Sequence, residues 1–266
     1  MRTSTTTPPT ATSTLDMTGT PGPAHGTFRT EPVSFIRRTG RLSPGQANGL
    51  ERSGSAYIVD VPRAIARTSV APDYVLHAAA TFGRTAPLVV EVGSGMGECA
   101  VAAAAAHRDV DHLALEVYLP GVAQTILKAE REEVTNLRLI QANAPEVFAT
   151  TLPEGSVDEV WVFFPDPWPK SRHHKRRLVT PSFAALVARV LRPGGVWRLA
   201  TDWAPYAEQM IEVIGASPDF EPLDSADGTT ARFEGRVLTT FEAKGQRAGR
   251  GATDLAFRRR PTPGDA

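Results

Sequence analysis

The chain has 266 residues, and its 29 basic and 29 acidic side chains give a formal net charge of zero. Overall charge therefore predicts no polyanionic partner, and only a local cluster of charge can indicate one. The single cysteine, Cys99, excludes an internal disulfide and favours a reducing, cytoplasmic compartment. No apolar run approaches the roughly 20 residues that a membrane helix needs, so we expect no membrane association.

The start of the chain divides into a tail and an arm. Residues 1–30 are rich in Thr, Ser, Pro and Gly, and so little apolar surface cannot offset the entropy of ordering. This composition predicts a disordered tail, with an organellar transit peptide as the alternative. Residues 31–61 form a basic arm that contains Arg37, Arg38 and Arg41, and composition alone favours a solvated arm. Residues 62–266 are expected to form the folded domain.

Apolar runs alternate with segments of helical spacing from residue 88 onward. One or two helices are expected before them, within residues 63–82, and the later region 220–260 is ambiguous and compatible with added edge strands. Strands are predicted at residues 88–92, 112–116, 137–141, 157–164 and 196–200, and helices at 100–107, 121–131, 181–191 and 204–214. This alternation favours an α/β fold with a parallel sheet covered on both faces.

Glycines at positions 93, 95 and 97 follow the first of these strands and precede a helix. A nucleotide-type cofactor approaches backbone amides at such a loop. The dinucleotide fingerprint requires Gly or Ala at position 98, where Glu98 stands instead, and an acid suits a pyrophosphate badly. Glu91 suits a cofactor with a cationic amino-acid end and no phosphates, which is S-adenosylmethionine. A purely structural glycine turn remains the alternative.

Two further polar residues follow the next two strands. Glu116 ends the second strand, where a carboxylate can accept both hydroxyls of a ribose. Asn143 lies beyond the third strand, where an adenine edge would be recognised. Alone, each is more often a surface residue, but together with the glycine loop they indicate a site for S-adenosylmethionine.

The segment after the fourth strand combines a rigid acidic loop with the densest basic run in the chain. Three prolines hold Asp166 and Lys170 on this loop, and Asp202 ends the fifth strand on the same edge of the sheet. The run continues through Arg172, His173, His174, Lys175, Arg176 and Arg177. Next to a cofactor site, such a run favours phosphate binding over a solvated face. The paired histidines lack the Cys or acidic partners of a metal site, so no metal is expected.

These residues resemble the bacterial tRNA (guanine-N7)-methyltransferase family. The resemblance runs from about residue 34 to residue 259 and is carried by SFIRRTGRL, EVGSGMG, the acid in ALEVYLPGV, FFPDPWPKSRHHKRR, ATDW and TTFEAKGQRAGRG. It implies a doubly wound, Rossmann-like class I methyltransferase fold with a mostly parallel, seven-stranded sheet and helices on both faces. It also implies methylation of guanine N7 in the tRNA variable loop, usually at position 46, by a monomer or a homodimer.

The resemblance also implies roles for individual residues. S-adenosylmethionine would be bound by Glu91, Gly93, Gly95, Gly97, Glu116, Asn143 and Asp166, with Asp166 also catalytic. The guanosine would be bound by Lys170, Asp202, Thr239, Thr240, Phe241 and Glu242, and RNA by the run from Arg172 to Arg177. Many family members have Asp where this chain has Asn143, which puts donor affinity there in question.

Two other functions remain open on sequence alone. A methyltransferase acting on a small molecule or a protein would explain the glycine loop but not the basic run. A non-catalytic tRNA-binding module would bind tRNA without methyl transfer, and the presence of Glu91 and Asp166 argues against it.

Overall fold

The computed structural model describes residues 40–261. The predicted tail, with its transit-peptide alternative, and residues 31–39 of the arm lie outside the described residues. Among the residues that are described, no helix combines the length and apolar character needed to cross a bilayer.

The helices flank a central sheet, and those predicted from residue 88 onward are confirmed to within two residues at each end. The described α-helices are α1 (Pro44–Tyr57), α2 (Ala78–Phe82), α3 (Glu98–Ala106), α4 (Leu119–Arg131), α5 (Ala144–Glu146), α6 (Pro181–Val190), α7 (Ala204–Gly215) and α8 (Thr240–Arg247). A π-helical turn at Val147–Thr151 and a 3-10 helix at Ser171–Arg176 complete the set.

The sheet has the order β3-β2-β1-β4-β5-β8-β6, and the short β7 pairs with β8. Its strands are β1 (Leu88–Val92), β2 (Asp111–Leu115), β3 (Leu137–Ile140), β4 (Val157–Phe163), β5 (Leu191–Thr201), β6 (Phe220–Pro222), β7 (Thr229–Thr230) and β8 (Thr253–Arg259). Strands β1 to β5 are parallel, whereas β8 runs antiparallel to its neighbours. The mostly parallel sheet is confirmed, with the correction that a two-residue eighth strand joins the expected seven.

Strand β1 is buried along its whole length because helices cover both faces of the sheet. Successive side chains of a strand point to opposite faces. Val90 accordingly packs in the cluster that contains Phe183 of α6, whereas Val89 packs with Cys99 and Ala103 of α3. A strand buried on both faces is predominantly apolar, and four of the five residues of β1 are.

Two segments before β1 add detail to the sequence prediction. Residues 63–82 contain only the short α2, because the Ser69 hydroxyl accepts the N–H groups of Ala64, Ile65 and Ala66 and holds a turn there. Conversely, α1 lies within the segment assigned to the basic arm. It packs on α4, where Gln46 Nε2 donates to the carbonyl of Pro120 at 3.2 Å.

The order of the strands reverses between β1 and β4. The chain leaves β1 toward β2 on one side and leaves β4 toward β5 on the other. The carboxyl ends of β1 and β4 therefore open onto a crevice, which is the position where open α/β sheets bind ligands.

Candidate active site

The glycine loop between β1 and α3 has a backbone that favours glycine at three positions. Gly93, Gly95 and Gly97 have φ angles of 72°, 56° and 71°, which side chains with a Cβ rarely adopt. A Cβ at Gly97 would also lie 2.3 Å from Thr125 Oγ1 on α4. In contrast, a Cβ at Gly93 would meet nothing within 4 Å, so this edge of the loop is open to a ligand.

Gly121 lets α4 approach the same loop. A Cβ at Gly121 would lie 2.3 Å from the carbonyl oxygen of Gly95. Sequence reasoning placed Gly121 only at the start of a helix, because nothing local shows that a loop 26 positions earlier lies against it.

Glu116 holds the glycine loop from the neighbouring strand. One carboxylate oxygen accepts the N–H of Gly95 at 2.7 Å, and the other accepts those of Val117 and Tyr118 at 2.8 Å. Burial raises the pKa of Glu116, and the three backbone hydrogen bonds oppose that rise. The oxygen that accepts from Val117 and Tyr118 is fully used, and the oxygen that accepts from Gly95 keeps a lone pair for a further donor, such as a hydroxyl.

Glu91 is a buried acid without a full set of partners. It lies at the end of β1, is 6 % exposed, and its Oε2 atom has no hydrogen-bond donor. Burial, followed by the nearby charge of Glu116, raises the pKa of Glu91 to about 8. A cationic ligand group would supply the partner that this carboxyl lacks.

A cavity of about 560 Å³ joins the glycine loop to the start of α8. It lies at the carboxyl ends of β1 and β4, as the strand order predicts. Its lining residues are Glu91, Gly93, Ser94, Gly95, Met96, Glu98, Cys99, Gln124, Lys128, Phe163, Phe164, Arg236, Thr239, Thr240 and Phe241. Two groups of residues that are far apart in sequence, the proposed donor loop and the proposed guanosine segment, therefore share one cavity.

The loop that carries Asp166 adopts an unusual backbone. Phe164 and Trp168, on either side of it, have φ angles of 51° and 42°, a conformation that is costly for bulky residues and typical of functional loops. Asp166 itself is exposed, and Arg177 Nε donates to the carbonyl of Pro167 at 2.8 Å. The Phe241 ring lies 5.5 Å from that of Phe164.

The basic run forms the 3-10 helix, and most of its side chains reach the surface. Arg172 and Lys175 are exposed, and His173, His174 and Arg176 are partly buried. The Arg176 guanidinium lies 5.1 Å from the ring centre of Trp168.

Arg177 differs from the other cations of the run because it is buried. It is 2 % exposed, and its Nη1 atom donates to Gln209 at 2.7 Å. Its contact with Pro167 ties it to the Asp166 loop, and RNA binding by Arg177 stays a prediction.

Glu242 is buried in a network of arginines. Its carboxylate is 2 % exposed and accepts hydrogen bonds from both Arg232 and Arg236 at 2.7 to 2.9 Å. Arg236 in turn binds Asp254 of β8 through two hydrogen bonds of 2.6 Å. These contacts fix the first turn of α8 to β8, and binding of the guanosine by Glu242 stays a prediction.

The remaining predicted residues fall into two groups: some line the cavity, and others lie away from it. Thr239 caps α8 by accepting the N–H of Glu242, and Phe241 is 53 % exposed at the rim. Lys170 is exposed just before the 3-10 helix, and Asp202 accepts a hydrogen bond from Arg250 at 2.8 Å. Asn143 is 1 % exposed and does not line the cavity. Within residues 40–261, no group of three His, Cys, Asp or Glu side chains is arranged to hold a metal ion.

The strand order, the open glycine loop and the two strand-end acids define a class I, S-adenosylmethionine-dependent methyltransferase. A family model described as "Putative methyltransferase" matches residues 85–255. The chain is 45 % identical to a tRNA (guanine-N(7)-)-methyltransferase from an Arthrobacter species, in an alignment that covers 90 % of this chain and 91 % of the relative. It is 47 % identical to a tRNA (guanine-N(7)-)-methyltransferase from Cutibacterium acnes, with 85 % of this chain and 83 % of the relative covered. The chain thus belongs to the tRNA (guanine-N7)-methyltransferase family.

Among solved structures, the chain is similar to the antibiotic-resistance methyltransferase Kmr. The TM-score is 0.49 and the sequence identity 17 %, with 71 % of this chain and 95 % of Kmr covered.

Proposed function

We propose that this protein transfers a methyl group from S-adenosylmethionine to N7 of guanosine 46 in the tRNA variable loop. The observation that carries the proposal is the cavity shared by the glycine loop and the start of α8. It offers one space in which a donor and an acceptor base can meet. The identity to tRNA methyltransferases over most of the chain supports tRNA as the acceptor.

The residues of the donor end fit S-adenosylmethionine, which when bound supplies a methyl group on a positively charged sulfur. Glu91 has an unpartnered, buried oxygen that would accept the cationic amino group. Gly93 and Gly95 provide an open backbone, and Glu116 has a lone pair left for a ribose hydroxyl. The family resemblance, rather than the cavity, assigns Asn143 to the adenine, and Gly97 keeps α3 and α4 close to the loop.

The acceptor needs positioning more than base catalysis. Guanine N7 carries a lone pair and no proton, so methylation leaves a positive charge on the purine ring. The Asp166 carboxylate would stabilise that charge from its constrained loop. Asp202 and Lys170 would recognise the guanosine with Thr239 and Thr240, and the exposed ring of Phe241 would stack on the base.

The exposed cations would bind the tRNA backbone. Arg172 and Lys175, with His173, His174 and Arg176, lie on the 3-10 helix that follows the Asp166 loop. Phosphate contacts orient a nucleic acid without reading its sequence, so this helix would set the tRNA's position over the cavity. A tRNA substrate also implies a cytoplasmic location.

Incubation with a methyl-labelled donor and an unmodified tRNA transcript tests the proposal. We expect label in 7-methylguanosine after digestion to nucleosides, and none with a transcript in which guanosine 46 is replaced by adenosine. Label in another nucleoside, or tight tRNA binding without any transfer, would contradict it.

A further inference from the structure

Glu98 connects two parts of the cavity that are distant in sequence. It is the first residue of α3, directly after the glycine loop. Its two carboxylate oxygens accept the backbone N–H and the hydroxyl of Thr240 at 2.9 and 2.6 Å. One side chain thus joins the donor loop to the start of α8.

The surroundings of Glu98 keep this carboxylate charged. Lys128 of α4 places its Nζ atom 3.7 Å from Glu98 Oε1. Burial alone would raise the pKa of Glu98, but the hydrogen bonds from Thr240 and the charge of Lys128 outweigh it and lower the pKa. An ionised acceptor makes stronger hydrogen bonds than a neutral one.

Helix α8 depends on polar contacts at its first turn. Only Glu242 and Gly245 of its eight residues are buried, so little apolar packing holds it. The first N–H groups of a helix have no partner within the helix, and an anion is favourable there. The Thr239 hydroxyl accepts the N–H of Glu242. The Glu98 carboxylate, from outside α8, accepts the N–H of Thr240.

We propose that Glu98 is a positioning residue, which fixes the start of α8 against the donor loop and so sets the distance between guanosine and methyl donor. The inference rests on the proposed function, because Thr239, Thr240 and Phe241 are there the guanosine contacts. Glu98 touches neither reacting group in this account. Misplacement of a substrate by about 1 Å can cost on the order of 100-fold in rate, so the effect should appear in transfer.

The test compares Glu98→Ala, Glu98→Gln, Thr240→Val and the double variant Glu98→Ala/Thr240→Val. Glu132→Ala is the matched control, since Glu132 forms only a surface pair with Arg131 at 3.0 Å. For each protein we would measure kcat and KM for tRNA methylation, the Kd for S-adenosylmethionine by calorimetry, and the Tm.

We expect Glu98→Ala to lower kcat/KM for tRNA by at least about tenfold, with an unchanged donor Kd. Glu98→Gln keeps an acceptor oxygen and should recover most of that loss. The double variant should lose less than the sum of the two single losses, because the hydrogen bond from the Thr240 hydroxyl is removed by both changes.

Three results would overturn the inference. One is wild-type kcat/KM in Glu98→Ala. Another is a loss of kcat/KM that Glu98→Gln does not restore and that is accompanied by a weaker donor Kd or a lower Tm. That result would make Glu98 a donor-binding or stabilising residue. The last is full additivity in the double variant. If the unaltered protein forms no 7-methylguanosine, the proposed function itself fails and this inference with it.

Discussion

The carboxylate of Glu116 and the backbone N–H of Gly95 are joined by a hydrogen bond of 2.7 Å. This contact ties the end of β2 to the loop that follows β1, and Gly121 closes on the same loop from α4. The glycine loop is therefore shaped by its neighbours before any ligand arrives.

Removal of this support should weaken donor binding. Glu116→Ala would leave three backbone N–H groups without their acceptor and remove the proposed ribose contact. A hydrogen bond to a charged group contributes about 1.5–3 kcal/mol, so we expect the Kd for S-adenosylmethionine to rise by at least about tenfold. The Kd for tRNA should change little. Calorimetry would contradict this prediction by showing equal donor affinity in both proteins.

Donor binding should release a proton from Glu91. Its pKa of about 8 lies above the ordinary value of 4.5, so the folded protein holds this proton at pH 7 while the unfolded chain does not. Stability contributed by Glu91 therefore falls as pH rises from about 4.5 to about 8. A cationic amino group favours the ionised carboxyl, so binding should release about one proton per donor at pH 7.

Calorimetry in buffers of different ionisation enthalpy measures that proton. Glu91→Gln keeps the size of the side chain and cannot ionise, so it should abolish the buffer dependence. A binding enthalpy that is independent of buffer in the unaltered protein would refute this assignment.

Glu242 should contribute to stability. Glu242→Gln removes the charge that faces Arg232 and Arg236, although Asp254 still pairs with Arg236. Breaking a buried ion pair costs about 3–5 kcal/mol, and we expect the lower end of this range in the free energy of unfolding. Denaturant unfolding measures it, with exposed Glu208→Gln as control. An unchanged free energy of unfolding together with a raised KM for tRNA would contradict this prediction and place Glu242 in the guanosine site.

The exposed cations should govern how tRNA binding depends on salt. Each phosphate contact releases counterions, so changing Arg172 and Lys175 together to Ala should reduce the slope of log affinity against log salt by about two units. Donor affinity should stay the same. Arg131→Ala, a 74 % exposed arginine outside the run, is the control. Equal slopes for the double variant and the unaltered protein would show that this surface does not contact phosphate.

Asp166 should be needed for transfer rather than for folding. Asp166→Asn keeps the shape of an exposed side chain but removes the charge proposed to stabilise the methylated ring. Loss of such a stabilising group typically costs about 100-fold or more in kcat. The Tm should stay unchanged, and single-turnover transfer measures the rate. A rate within a few-fold of normal would remove Asp166 from the mechanism.

The sequence predicted the parallel strands because each contains a short, mostly apolar stretch that is largely buried, although β5 begins five residues before the predicted strand. It failed where tertiary contacts decide the outcome. Helix α1 has a polar sequence and buries only Gly49 and Gly54, so its periodicity gave little signal. Arg177 and Glu242 look like exposed charges in a basic run and a loop, and only the folded chain buries them. The contact from Glu98 to Thr240 spans 142 positions and leaves no local pattern.

The most direct test of methylation at guanine N7 is chemical cleavage of the tRNA product. Methylation at N7 makes that ring sensitive to reduction, and amine treatment then breaks the strand at the modified nucleotide. We predict a single new break, at position 46, after incubation with the protein and S-adenosylmethionine, and none without the donor. Methylated tRNA that resists cleavage, or that breaks at a different position, would contradict the account.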